Sequence, residues 1–550
     1  MGDPIHQTVT VAGRSLHCLR LGSGPSVVLL HESPRSSAVL LPLANALANR
    51  FTVFAVDTPG YGASDPLPES RPTIDDFADA IAASLQALGL TGFAVYGTHT
   101  GATIAASLVR RHPGLVSGAV LDGYPVFTRA EQDLNAYHYF PNFEPRWDGS
   151  HVAALWSRVR DQYSFFPWWQ PGRDSRIPRD PPALANHHAA VRDILSAADY
   201  AAGYNAAFRT DGRAALAGIT RPAHLICRED DTLFPHLGRL GAVASPLTIE
   251  RMGVDRAAWA ARIGTVFAQL ANAAPPLQQA GQPGKPEGAL TVLAPGLLAR
   301  AYDTGVRAAP PLVLLPDLPG QARDWADLAR REARRRPVLA LELPGAGRSL
   351  AMLDGSPAAM TTFLAQALDA AGLGTIDLAG AGLGGLLAQR LAQARPGGRV
   401  LLLDPPPARS FVPALPSEPD WHGGFLMAHW YEAREAMLFR PANSRRSADA
   451  RSLGPGIDLA AIQRRFVAGV CAAPELIALG TALAGEAAIW PEHTDRSTDV
   501  VLHEGDPDNA CLASRLGAAR AQFRKAPLDG LIDAAAILLG HGNHTDGSDE

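Results

Sequence analysis

The chain has 550 residues, 47% of them hydrophobic and 19% charged, with a formal net charge of −5. This is an ordinary globular composition over a length that exceeds one core, so two domains are the default. The charge gives no reason to expect nucleic acid or an anionic membrane surface as a partner. The four cysteines, Cys18, Cys227, Cys471 and Cys511, are too scattered for a disulfide framework or a zinc site. Lysine occurs only at Lys285 and Lys525, an arginine bias that fits base composition better than an interaction surface. The N-terminus lacks a basic region followed by an apolar run, and no segment reaches about 18 unbroken apolar residues, so a cytoplasmic protein without a membrane partner is expected.

In chain order, Thr8 to Val11 and Ser15 to Leu21 alternate around Ala12-Gly13-Arg14 and predict a hairpin. Ser26 to Leu30 is a continuous apolar run suited to a buried central strand, ending in His31-Glu32-Ser33-Pro34. A helix follows over Leu40 to Asn49. A second buried strand, Phe51 to Val56, runs into Asp57-Thr58-Pro59-Gly60-Tyr61-Gly62-Ala63-Ser64-Asp65. The strand Phe93 to Tyr96 leads into Gly97-Thr98-His99-Thr100-Gly101 and a small-residue helix, and Gly118 to Leu121 ends at Asp122. Strands and helices alternating in this way predict an α/β fold with a mostly parallel sheet flanked by helices. Between about residues 127 and 211 the alternation gives way to a helical, aromatic-rich insertion that includes Trp156, Phe165 and Trp168. These rings suit an apolar substrate wall, or the packing of the insertion onto the core. Residues 271–287, rich in Pro, Gln, Gly and Ala, read as a linker between a domain at 1–270 and another at 288–550.

Beyond the linker the plan repeats. Pro316 falls under His31, Gly345 under Gly60 and Gly380 under Gly97, at offsets of 283 to 285 residues. The insertion repeats as well, at about residues 406–490. Trp156, Arg160, Phe165 and Pro167 match Trp430, Arg434, Phe439 and Pro441 at an offset of 274. Duplication of one ancestral unit explains a shared insertion better than fusion of two unrelated ones.

Three motifs in order, HESP, DTPGYGASD and GTHTG, resemble the α/β-hydrolase superfamily, whose members carry HGxP, DxPGxGxSD and the nucleophile elbow GxSxG. The resemblance implies two tandem α/β-hydrolase folds, each with a helical cap over its mouth. It also implies oxyanion donors at the Ser33 and Thr100 N–H groups, and a triad acid at Asp231 within Arg228-Glu229-Asp230-Asp231. The first copy departs from the pattern twice. His99 stands where the family has Ser, and no His occurs near Val254-Asp255, where the family's late His is expected. An imidazole at the elbow extends past a hydroxyl, so His99 is expected to enter the vacated space and approach Asp231, with Asp122 the alternative orienting acid. It would serve as a base or a nucleophile; the bland alternative is a satisfied histidine in an inactivated pocket. A subgroup of capped members with HxTG elbows and HxxPRS loops is similar to this copy.

Glu32 replaces the glycine after His31 and would oppose a developing anion unless Arg35 or another cation pairs with it. His151, on the cap, is a weaker candidate for a second acid or base. His31 is expected to be structural, and His187, His188 and His236 show no metal spacing. In the second copy the elbow centre is Gly382. Asp506 matches the acid, and His541 and His544 lie close to the C-terminus, so that copy is expected to be inactive by this chemistry. Its expected roles are bracing, homo-oligomer formation or covering the first copy's mouth. The expected function is His99-assisted hydrolysis or cofactor-free proton abstraction or lyase chemistry on a small, rather apolar carbonyl compound, with no metal. The alternative is a non-catalytic pseudohydrolase that binds a ligand or partner.

Overall fold

The computed structural model describes residues 4–141, 143–177, 180–271, 288–294, 297–347, 349, 354–395, 397–405, 415–416, 418–439, 444, 446–451, 456–487, 498–503 and 520–524; for 135–137, 486–487, 498–503 and 520–524 it describes the backbone alone. Packing divides the described residues into two units. One comprises those within Met1–Phe143 and Ala154–Pro286, the other those within Glu144–Ala153 and Glu287–Glu550. The stretch Glu144–Ala153, read from the sequence as part of the first cap, therefore packs with the second unit. Of the linker, Ala271 is the last residue of a helix, and 272–287 lie outside the described residues.

In the first unit the strands are β1 (Ile5–Val11), β2 (Arg14–Leu21), β3 (Ser26–Leu30), β4 (Thr52–Val56), β5 (Phe93–Thr98), β6 (Val116–Asp122), β7 (Ala223–Arg228) and β8 (Leu247–Met252). They form one sheet in the order β1-β2-β4-β3-β5-β6-β7-β8. The hairpin turn places both Ala12 and Gly13 at positive φ (50° and 76°), as a two-residue primed turn requires. From β4 onward the pairs are parallel. β3 and β4 are buried along nearly their whole length, which is why both read as unbroken apolar runs. Helices α1 (Leu41–Leu47), α2 (Ile74–Ala87), α3 (Thr100–Arg111), α4 (Arg129–His138), α5 (Ser150–Gln162), α6 (Leu184–Ser196), α7 (Ala202–Arg209), α8 (His236–Arg239) and α9 (Arg256–Ala271) complete the copy, with α4 to α7 in the inserted cap. Core clusters lie on both faces of the sheet.

The second unit repeats this order. Its strands are β9 (Ala289–Ala294), β10 (Leu297–Tyr302), β11 (Leu312–Leu315), β12 (Val338–Glu342), β13 (Asp377–Ala381), β14 (Val400–Leu403), β15 (Thr498–His503) and β16 (Arg520–Arg524), arranged β9-β10-β12-β11-β13-β14-β15-β16. Its helices are α10 (Ala326–Ala333), α11 (Pro357–Ala370), α12 (Gly382–Ala394), α13 (Gly424–Leu438), α14 (Leu459–Cys471) and α15 (Pro474–Ala487). Identical strand orders over two halves are what duplication of a single unit produces. Asp506, His541 and His544 lie outside the described residues. Among the described residues no single helix is long and apolar enough to cross a membrane; α14 and α15 pass that test only as a pair bent by 113°.

The junction between β5 and α3 depends on two glycines. A Cβ on Gly97 would lie 2.0 Å from the Gly101 carbonyl oxygen, and one on Gly101 would lie 2.3 Å from that of Leu30. Backbone cannot yield to such contacts as a flexible side chain can. Gly101→Ala is therefore expected to destabilise the first unit by about 2 kcal/mol or more, read as a lowered midpoint in urea or thermal unfolding.

Candidate active site

His99 occupies the sharp turn between β5 and α3 with φ 49° and ψ −111°, a conformation that L-residues seldom adopt. Its own N–H bonds to the Asp122 carbonyl oxygen at 3.0 Å, while its carbonyl accepts from Ala102 and Thr103 in the first turn of α3. The turn thus aims the imidazole away from both elements. Nε2 lies 3.0 and 3.1 Å from the two carboxylate oxygens of Asp231, in the loop after β7. Asp231 is held in turn by the Leu233 N–H at 2.8 Å. A Cβ on Gly123 would come within 2.5 Å of the ring, so this glycine leaves the imidazole its space. Sequence reasoning passed over Gly123; its signal was a glycine directly after the strand ending at Asp122. The position where the family's late His was expected lies in the loop after β8, with Val254 62% exposed.

The side chain of His99 is 32% exposed and that of Asp231 17%. Burial opposes charge on the imidazole. The Asp231 carboxylate, with Glu32 and Asp122 nearby, outweighs burial and lifts the His99 pKa to about 9. Burial likewise opposes charge on Asp231, but the imidazolium and the Leu233 N–H hold its carboxyl far below the usual range. The pair is therefore ionised at neutral pH. Nε2–H points at Asp231, and Nδ1–H has no hydrogen-bond partner among the described residues.

Asp122 does not share this contact. Its carboxylate accepts from the Tyr96 hydroxyl at 2.8 Å and from the Trp259 indole N–H at 3.0 Å, so the alternative orienting acid is engaged elsewhere. Burial, with repulsion from Asp231, raises its carboxyl to about 6. His151, expected on the cap as a second acid or base, is instead buried. It is 4% exposed, accepts the Arg146 N–H, approaches Gln463 at 3.3 Å and meets the Trp430 ring edge-on, all within the second unit's packing.

The end of β3 meets this turn, where a Cβ on Gly101 would lie 2.3 Å from the Leu30 carbonyl oxygen, and each of the two elements supplies an N–H group. Thr100 begins α3, and Ser33 follows β3 before a cis Ser33-Pro34 bond. Neither N–H is engaged among the described hydrogen bonds. His31 is buried; it pairs through Nδ1 with the Glu32 carbonyl at 2.8 Å and accepts the Thr58 N–H at 3.0 Å, which fixes the loop. Arg35 does not neutralise Glu32. It bonds Asp193 of α6 at 2.8 Å, with the Ser36 hydroxyl on the other oxygen, and so ties the loop to the cap. The Glu32 carboxylate has no hydrogen-bond partner among the described residues, and its charge acts on His99, Arg35, Tyr163 and Tyr204. Of the cap aromatics, Trp156 is 4% exposed and lies against the His187 ring at 4.2 Å, so it is core. Phe165 and Trp168 are half-buried; Arg176 lies over the Phe165 ring and Arg158 over that of Trp168. Among the described residues no three His, Cys, Asp or Glu side chains converge as a metal ion would need.

The second unit keeps the turn and loses the side chain. Gly382 has φ +50°, in the same region as His99. The counterparts of the Thr100 and Ser33 donors are the N–H groups of Leu383 and Leu318. Both donate to Oδ1 of Asp317, at 2.9 and 2.8 Å. Asp317 stands at the position of Glu32, and its other oxygen meets Arg465 of α14 at 3.1 Å, which pairs with Glu432 at 2.7 Å. The hole in the second unit is thus formed, and the chain's own carboxylate occupies it.

Residues 25–245 match a family model described as alpha/beta hydrolase fold, and residues 312–547 match one described as alpha/beta hydrolase family. The chain is 32% identical over 127 residues to 2-(acetamidomethylene)succinate hydrolase of Mesorhizobium japonicum, covering 23% of this chain and 45% of that protein. It is 28% identical over 218 residues to fluoroacetate dehalogenase of a Burkholderia species, covering 37% of this chain and 70% of that protein. Among solved structures, E-2-(acetamidomethylene)succinate hydrolase aligns at 23% identity and a TM-score of 0.33, over 49% of this chain and 98% of that one. Epoxide hydrolase A from Mycobacterium thermoresistibile aligns at 18% and 0.38, over 50% and 100%. With a family match on each half and the same strand order in both sheets, the chain belongs to the α/β-hydrolase superfamily as a tandem pair of its domains.

Proposed function

We propose that the first unit is a hydrolase-type enzyme acting on a small, rather apolar carbonyl compound without a cofactor, with His99 as its proton donor and Glu32 as its base. The observation that carries this reading is the His99–Asp231 ion pair, held at a strained turn between two unengaged N–H groups. Relatives named as hydrolases, an esterase and a dehalogenase support the reaction class. The sequence alone suggested a base or nucleophile at the elbow. A pKa near 9 instead favours the imidazolium at neutral pH, which makes His99 an acid.

In this reading the substrate carbonyl oxygen takes the Ser33 and Thr100 N–H groups, and Nδ1–H of His99 faces the reacting centre. Glu32 removes a proton from water as the water oxygen bonds to the carbonyl carbon, and the carbonyl electron pair moves onto its oxygen. When that pair returns, the bond to the leaving group breaks, and the leaving group takes the Nδ1 proton. Glu32 then hands its proton back to His99. With a substrate that has an acidic C–H beside the carbonyl, the same two groups would carry out abstraction and reprotonation. The occupied hole and the missing elbow side chain support an inactive second unit.

Three outcomes are expected. A panel of small esters, amides and 1,3-dicarbonyl compounds includes one that the protein turns over; His99→Ala lowers kcat/KM for it by about 1000-fold or more without changing the circular dichroism spectrum, and unchanged turnover would overturn the reading. The rate falls as pH rises through about 9, and Asp231→Asn moves that limb down toward 6.5. The sign follows from linkage: a raised histidine pKa contributes stability that is complete below 6.5 and is lost as pH climbs through about 9, so the thermal midpoint should fall over the same window. Finally, Asp317→Ala leaves turnover unchanged and destabilises the second unit by about 1 to 3 kcal/mol, seen as an earlier unfolding transition.

A further inference from the structure

The cap of the first unit holds a buried cation that has no ion-paired carboxylate among the described residues. Arg158, on α5, is 1% exposed. One guanidinium nitrogen donates to Gln162 a turn later and the Tyr204 hydroxyl lies beside the group, while Nε and Nη2 are sealed from solvent and make no hydrogen bond of ordinary geometry. The rings of Tyr139, Trp168 and Tyr200 surround it, with Cζ 5.7, 5.5 and 5.8 Å from their centroids. The indole N–H of Trp168 is buried and lacks an acceptor too. Among the described residues the cluster therefore offers donors and a positive charge and contains no carboxylate. Ring faces attract a cation but do not accept its N–H bonds as a carboxylate does, so the site is under-satisfied as it stands.

The second copy shows the same place settled internally. At the 274-residue offset Arg158 falls on Glu432, which Arg465 neutralises at 2.7 Å while also holding Asp317. Helices α6 and α14 each have 13 residues, and the place of Arg465 in α14 falls on Ala190 in α6, a buried apolar position. The first copy lacks the bridging side chain and carries the opposite charge on the cap. Both residues that flanked the bridge, Glu32 and Arg158, are left without a hydrogen-bonded counter-ion among the described residues. The cluster also adjoins the oxyanion loop. Tyr139 packs on Tyr204 at 5.4 Å, and the neighbouring Gly203 lies so close to Ser33 that a Cβ would stand 2.4 Å from its hydroxyl oxygen.

We propose that Arg158 is the receptor for a carboxylate on the substrate, so that the first unit takes a small carbonyl compound bearing a carboxylate away from the reacting carbon. Two carboxylate oxygens match the free Nε and Nη2 edge of the guanidinium, with the Trp168 N–H as a third donor. Entry requires the half-buried Trp168 or Tyr200 ring to move aside, exchanging a ring contact for an ion pair. This rests on the proposed function and replaces its rather apolar substrate with an anionic one, yet binding does not require turnover, and the test separates the two.

Calorimetric titration of the full chain with succinate, propionate and benzoate, with dimethyl succinate and inorganic phosphate as controls, reads the site directly. At least one carboxylate is expected to bind and raise the thermal midpoint, with dimethyl succinate at least tenfold weaker than succinate. Arg158→Met is expected to lose carboxylate affinity at least tenfold while keeping or raising the midpoint of the unliganded protein, since no ion pair is broken; a structural role would lower it. Arg158→Lys, which retains the charge but not the fork, should lie between the two. His99→Ala should bind the carboxylate as the unchanged protein does, even if turnover proves to work otherwise. The proposal is overturned if no carboxylate binds, if phosphate binds in its place, or if Arg158→Met binds undiminished.

Discussion

The first unit is built around one ion pair, the His99 imidazolium against the Asp231 carboxylate. The fold contributes to it at two points. The β5–α3 turn forces a non-glycine residue to positive φ, a strain of roughly 1 to 3 kcal/mol that the Gly97 and Gly101 contacts lock in place. The loop after β7 supplies the acid, itself anchored by the Leu233 N–H. A serine at the elbow would not span this distance without an intervening histidine, and the loop after β8 carries none. The imidazole on the turn closes that gap with a single side chain. The result is a pair that sits charged at neutral pH and leaves one ring N–H free.

The two units settle the charges around the hole in different ways, and the contrast explains both. Each ties the loop after its first parallel strand to a cap helix by an arginine–carboxylate bond. In the first unit that bond is Arg35 to Asp193, and the Ser33 and Thr100 N–H groups stay unengaged among the described hydrogen bonds. In the second it is Arg465 to Asp317, and the carboxylate that makes it also consumes both N–H donors. A carboxylate one methylene shorter than Glu32 thus reaches the two N–H groups that the first unit leaves unengaged among the described hydrogen bonds.

Much of the fold was legible because local rules suffice for it. The run Ser26 to Leu30 is buried on both faces, Ala12-Gly13 breaks two alternating runs with a turn, and three strand-end loops repeat at a near-constant offset. The site was less legible. Asp122 ends β6 and Asp231 lies in the loop after β7, and only tertiary contacts assign one to Tyr96 and Trp259 and the other to the imidazole. His151 read as a free cap residue because the sequence does not say which unit packs around it. Arg35 sits three residues from Glu32, yet its partner comes from α6, more than 150 residues away, as a long-range ion pair does. Arg158 escaped notice for the same reason: an arginine in a helix is ordinary until its burial and the absence of an ion-paired carboxylate among the described residues are known. The plug at Asp317 was within reach, since the offset that aligns Pro316 with His31 also sets it under Glu32.

The protonation state of one ring therefore bears the account's weight. Nitrogen-15 NMR of the imidazole, titrated from pH 5 to 11, measures it directly. The ion pair requires that at pH 7 both His99 nitrogens carry protons, with an apparent pKa near 9 that Asp231→Asn brings down toward 6.5. A neutral imidazole at pH 7 in the unchanged protein, or a pKa that Asp231→Asn does not move, would contradict it.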